Sequence, residues 1–67
     1  MNNKLIFKEQ GKLEQVFDKI PLKAFYFVAD FKTNVLECFD EDVETVKEHL
    51  KTIENLHETK DYDFIKV

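Results

Sequence analysis

Ala24–Phe31 (AFYFVADF), then Lys32–Thr33–Asn34, then Val35–Phe39 (VLECF) is the stretch that decides how this chain folds. Both apolar segments are rich in aromatic and β-branched residues, which fit a pleated, half-buried surface. Asn34 tolerates positive φ and marks a turn between them. The stretch therefore predicts a β-hairpin. A two-residue loop at Lys32–Thr33 or Thr33–Asn34 groups odd positions of the first strand with even positions of the second. Because side chains alternate along a strand, one face is expected to carry Phe25, Phe27, Ala29, Phe31, Leu36 and Cys38 and to pack on helices. The other carries Tyr26, Val28, Asp30, Val35, Glu37 and Phe39. On it, Tyr26, Val28, Val35 and Phe39 form an apolar patch bordered by two acids. Such a patch is a candidate contact surface, although scattered apolar residues on an open sheet face are also ordinary.

Before the hairpin, Lys4–Lys8 (KLIFK) has the length and composition of a strand. Leu13, Val16, Phe17 and Ile20 then recur at helical spacing, and Pro21 ends that run because the residue before a proline is pushed out of the helical region. A hairpin turning at Gln10–Gly11 competes with this helix over residues 12–20. After the hairpin, Asp40–Glu41–Asp42 places acids at the positive end of a second helix, with Asp40 as its N-cap candidate. Val43, Val46, Leu50, Ile53 and Leu56 form its apolar stripe, which frays near His57. Tyr62–Val67 (YDFIKV) alternates as a last strand. The order β-α-β-β-α-β predicts one α+β domain over residues 1–67, with a ferredoxin-like, split-βαβ antiparallel sheet and both helices on one face.

Composition narrows the function. The 67 residues include one Gly, one Pro, one Cys and no Ser, Trp or Arg. A serine nucleophile, a Gly-rich phosphate loop, a disulfide framework and a cysteine-rich zinc site are all excluded. A single Cys fits a reducing compartment, and Leu5–Phe7 is too short an apolar run for a signal peptide or membrane span. The expected location is cytoplasmic. The richness in Lys, Asn, Ile and Phe, with no Arg, matches an AT-rich bacterial or phage genome, which speaks to origin and not to mechanism.

Net charge is −4 and unevenly placed: residues 1–23 hold five lysines against three acids, and residues 24–67 hold five against eleven. With this balance and no Arg, direct nucleic-acid binding is not expected. The densest constellation is Glu37, Asp40, Glu41, Asp42, Glu44 and Glu48. Glu41, Glu44 and Glu48 fall on one helix face. Two readings stay open: a solvated helix face, or a patch that meets a basic, nucleic-acid-binding surface of another protein with carboxylates standing in for DNA phosphates. Asp40-x-Asp42 lacks the Gly turn and distal Glu of a calcium loop. His49 and His57 lie too far apart for a two-His zinc face. Cys38 is expected to face the core, and a Cys38–His49 nucleophile pair has little else to support it. No metal, cofactor or catalytic residue is expected.

The run Gly11–Phe17 (GKLEQVF) after a strand resembles the strand–Gly–helix segment of ACT domains. That resemblance covers about ten residues and lacks the acid–Pro step before the glycine. It implies a homodimeric, small-molecule-sensing regulatory module, with Gly11 in a ligand loop. The leading expectation is instead a small acidic, non-enzymatic inhibitor or regulator that binds another protein. A homodimer through the open sheet face or the Ala24–Phe31 edge is compatible with both.

Overall fold

The computed structural model describes residues 1–21 and 23–67. In chain order the elements are β1 (Asn3–Phe7), α1 (Lys12–Phe17), β2 (Phe27–Asp30), β3 (Val35–Cys38), a 3₁₀ turn (Asp40–Asp42), α2 (Val43–Thr52) and β4 (Tyr62–Lys66). The four strands form one antiparallel sheet in the order β2-β3-β1-β4. The result is a small α+β domain of one sheet and two helices.

Alternation along the strands explains the layering. Leu5 and Phe7 of β1, Leu36 and Cys38 of β3 and Tyr62 of β4 are buried, and they join Leu13 and Val16 of α1 and Val46 and Leu50 of α2 in one core. Phe27, Ala29 and Phe64 pack against that core half-buried. The register sets Phe27 and Asn3 beside Cys38, and Ala29 and Leu5 beside Leu36. The opposite sheet face bears Lys4, Ile6, Val28, Asp30, Val35, Glu37, Asp63 and Ile65.

Several expectations need correction. Residues 12–17 are helix, which settles the hairpin alternative, but α1 stops at Phe17 and turns carry the chain to Ile20. The hairpin loop has four residues, Phe31–Asn34, and β2 starts only at Phe27. The longer loop keeps the pairing parity, because Asp30 still opposes Val35. Phe31 thereby leaves the strand and is 41% exposed, although its ring meets Phe17 edge-on at 5.1 Å.

Asp40 is no helix N-cap: α2 begins at Val43, after the 3₁₀ turn, and among the described residues no side chain caps it. Its apolar stripe is shorter than the spacing implied. Val46 and Leu50 are buried, Ile53 lies past the helix end and is 63% exposed, and Leu56 returns to the core from a loop. That return follows Asn55, whose φ of 56° reverses the chain.

Candidate functional site

The six acids of the predicted patch do not act alike. Asp40 is taken up within the molecule: the Asn3 Nδ2 donates to it at 2.8 Å and the Lys66 amine lies at 3.3 Å. These two partners, the Asn3 bond first, hold its carboxyl below the ordinary aspartate range. Asn3 is itself buried and also donates to the Cys38 carbonyl at 3.1 Å. Glu37 projects from the open sheet face between Lys4 and Val28.

Glu41, Glu44 and Glu48 are exposed and Asp42 is half-buried. Among the described residues, none of these four belongs to an ion pair. Lys47, the lysine set among them in sequence, turns the other way. Its amine pairs with Glu58 at 3.0 Å and sits 3.9 Å above the Phe64 ring. A cation held by a carboxylate and an aromatic face is doubly engaged, so it does not neutralise the row beside it.

The apolar patch and the acids meet. Tyr26, 76% exposed, and Phe39, 40% exposed, line one cleft of 660 Å³ with Lys23, Glu41 and Asp42. Val28 and Val35 belong to the same sheet face but lie outside this cleft. Tyr26 also borders a second hollow of 350 Å³ along the β2 edge, walled by Phe17, Phe25, Phe27 and Phe31. Two carboxylates beside two exposed rings form a setting for an organic cation, since both groups attract positive charge and the rings cover an aliphatic stem.

Other sequence candidates have different surroundings. Cys38 is fully buried, and its thiol is pushed up to about 11, by burial first and then by the nearby Asp42 and Asp40 charges. A thiol so firmly protonated at neutral pH is a poor nucleophile. His49 is half-buried on α2, its Nε2 without a hydrogen-bond partner among the described residues, and His57 Nε2 lies 3.3 Å from Asn55 Oδ1. Gly11 has φ 79° with open space where a Cβ would stand. The backbone around it is already satisfied: the Asn34 side chain donates to the Phe7 and Glu9 carbonyls and accepts from Leu13 N–H.

Sequence reasoning placed Asn34 in a turn but not in this second role. It missed Asn3 altogether. The one available signal was a polar residue in phase with Leu5 and Phe7 on the inward face. Among the described residues, no helix is long and apolar enough to cross a membrane. No protein-family model, curated protein or solved structure matches this chain.

Proposed function

We propose that this protein is a small, non-enzymatic binding module that engages a basic surface of another protein, in the manner of an inhibitor or regulator. The observation that carries the reading is the cleft in which Tyr26 and Phe39 stand beside Glu41 and Asp42. A lysine or arginine side chain of the partner enters it, stem against the rings and charge toward the carboxylates. Glu44 and Glu48 extend the negative surface along α2 and steer the approach. A partner whose own task is to hold phosphates presents the matching charge, so the carboxylates take the place of a nucleic-acid backbone.

The proposed scaffold is the split-βαβ, ferredoxin-like arrangement. Its support lies in the pairings: with every neighbour antiparallel, β1 and β2 run parallel across β3, and β3 and β4 run parallel across β1. Each helix thus joins two parallel strands that have one strand between them.

The test is a titration of isotope-labelled protein with a lysine decamer, followed by NMR, with a glutamate decamer as control. Shifts are expected at Tyr26, Phe39, Glu41 and Asp42, extending to Glu44. They should fade between about 0.01 M and about 0.1 M salt, as the Debye length falls from about 30 Å to about 10 Å. Equal response to both peptides, or shifts spread evenly over the surface, would falsify the reading.

A further inference from the structure

The open sheet face is patterned in cross-strand rows. One row reads Val28, Glu37, Lys4, Ile65 from β2 to β4, and the next reads Asp30, Val35, Ile6, Asp63. Each row is nearly its own mirror in chemical type. The first has apolar ends and a central pair of opposite charges. The second has acidic ends and an apolar centre.

We infer that this face seats a second copy of the chain, related by a two-fold axis that runs parallel to the strands and between β3 and β1. Such an axis lays β3 on the partner's β1 and β2 on the partner's β4. Glu37 then faces the partner's Lys4, Lys4 faces the partner's Glu37, Val28 meets the partner's Ile65, and Val35 meets the partner's Ile6. The interface is isologous, as a two-fold requires.

Charge selects this axis over its alternative. A two-fold across the strands, through the same row, would set Glu37 on the partner's Glu37 and Lys4 on the partner's Lys4, which repel. Packed sheets rotate by about 30° relative to each other. That rotation displaces the outer strands most and the central β3 and β1 least, so the charge matching survives it.

The side chains are available for the task. Lys4 and Glu37 are half-buried, and neither forms an ion pair among the described residues. Val28 is 53% and Ile65 46% exposed. The acidic ends, Asp30 facing the partner's Asp63, fall at the rim. Each already has company: Asp30 accepts from the Lys32 and Thr33 backbone N–H groups, and Asp63 lies 3.8 Å from the Lys8 amine. The Tyr26–Phe39 cleft lies at one end of this face, beyond both rows. No residue of the two rows lines that cleft, so substitutions at Lys4 and Glu37 leave its lining unchanged.

The experiment is sedimentation equilibrium of the whole chain between about 10 μM and about 1 mM, for the unaltered protein, Lys4→Glu, Glu37→Lys and an equimolar mixture of the two variants. The unaltered chain should dimerise. Each variant alone sets like charges across the axis and should dissociate at least about tenfold more readily. The mixture should recover a heterodimer, because the two mutated faces are complementary. Restored pairing within one chain cannot explain that recovery.

A chain that stays monomeric at the highest concentration overturns the inference. So does dimerisation by both variants alone, or a dimer abolished only by Ala29→Pro on the β2 edge. Should either variant fail to fold, the unaltered protein still decides. In a mixture of labelled and unlabelled chains, intermolecular contacts between Val28 and Ile65 methyls support the face, and their absence from an observed dimer rejects it.

Discussion

The Asn34 carboxamide oxygen accepts the Leu13 N–H at 3.0 Å, so the hairpin turn caps the first turn of a helix that lies far back in the chain. Its Nδ2 donates to Phe7 O at 2.9 Å and Glu9 O at 2.6 Å, and its backbone carbonyl accepts from Phe7 N–H at 2.9 Å. One buried side chain thus ties β1, the β1–α1 loop, α1 and the hairpin together. A helix of six residues with no cap from its own N-terminus has little stability alone, and Asn34 supplies what α1 lacks.

Asn34→Ala should therefore be among the more damaging substitutions. It takes their side-chain partner from the Leu13 N–H and the Phe7 carbonyl, while Glu9 O keeps the Lys12 N–H, and it retains the positive φ of 62°, for a cost of about 2–4 kcal/mol by urea unfolding. Asn34→Asp keeps the acceptor for Leu13 N–H but turns a carboxylate toward the Phe7 and Glu9 carbonyls. The folded-state pKa of the introduced carboxyl is then raised. Its favourable contribution is present below the ordinary aspartate pKa and is lost as pH rises through the raised value. The deficit relative to the unaltered protein should shrink on going from neutral pH to about pH 4. A deficit independent of pH would show that the carboxyl does not meet those carbonyls.

Much of this fold was legible because period-two patterning and turn parity are local facts. Phe27, Ala29, Leu36 and Cys38 fell on the inward face as their alternation required. The exposure of Tyr26, Val28 and Phe39 followed from the same count. What escaped was everything set by distant partners. Asp40 has the sequence signature of an N-cap, yet Asn3 and Lys66 reach it through the sheet. Lys47 sits among acids in sequence, yet Glu58 and Phe64 claim it from β4 and the loop before it. Which acids stay unpaired is a tertiary property, and no helix-face count reveals it.

Two buried protons make the protein sensitive to alkali. The Cys38 thiol is raised to about 11 and the Tyr62 hydroxyl to about 12, each chiefly by burial. A group whose folded pKa lies above its unfolded value stabilises the fold fully below the unfolded pKa and loses that contribution as pH rises through the folded one. Unfolding midpoints in urea should fall first between about pH 9 and 11 from Cys38. They should fall further between about pH 10 and 12 from Tyr62. Cys38→Ala should flatten the first part of the profile and Tyr62→Phe the second. A thiol reagent at pH 8 should react only as fast as the native state opens.

At the acid end, Asp40 works in the opposite sense. Its carboxyl is depressed by the Asn3 hydrogen bond and the Lys66 amine. The resulting stabilisation is present above the unfolded aspartate pKa and is lost as pH falls through the folded value. Carbon-detected NMR titration should find Asp40 below the common aspartate range. Lys66→Ala should move it only part of the way back, because the Asn3 hydrogen bond, the largest single cause, remains. Full normalisation in that variant would assign the effect to charge alone.

The acids around α2 should separate by experiment as they do by geometry. Asp40→Asn disturbs an internal link between β1, β4 and the 3₁₀ turn, and should lower stability while leaving lysine-decamer affinity nearly intact. Glu41→Lys and Glu48→Lys should do the reverse. Both side chains are exposed and outside any ion pair among the described residues. For Glu48 the relieved repulsion from Glu44 offsets the lost attraction to Lys51 on the helix surface. Stability should therefore stay within about 0.5 kcal/mol of the unaltered protein. Affinity for the decamer should drop in each, and its salt dependence should flatten, since fewer carboxylates remain to attract the cations. If Asp40→Asn weakened binding as much as Glu41→Lys does, the cleft beside Tyr26 and Phe39 would lose its special place, and net charge alone would account for the attraction.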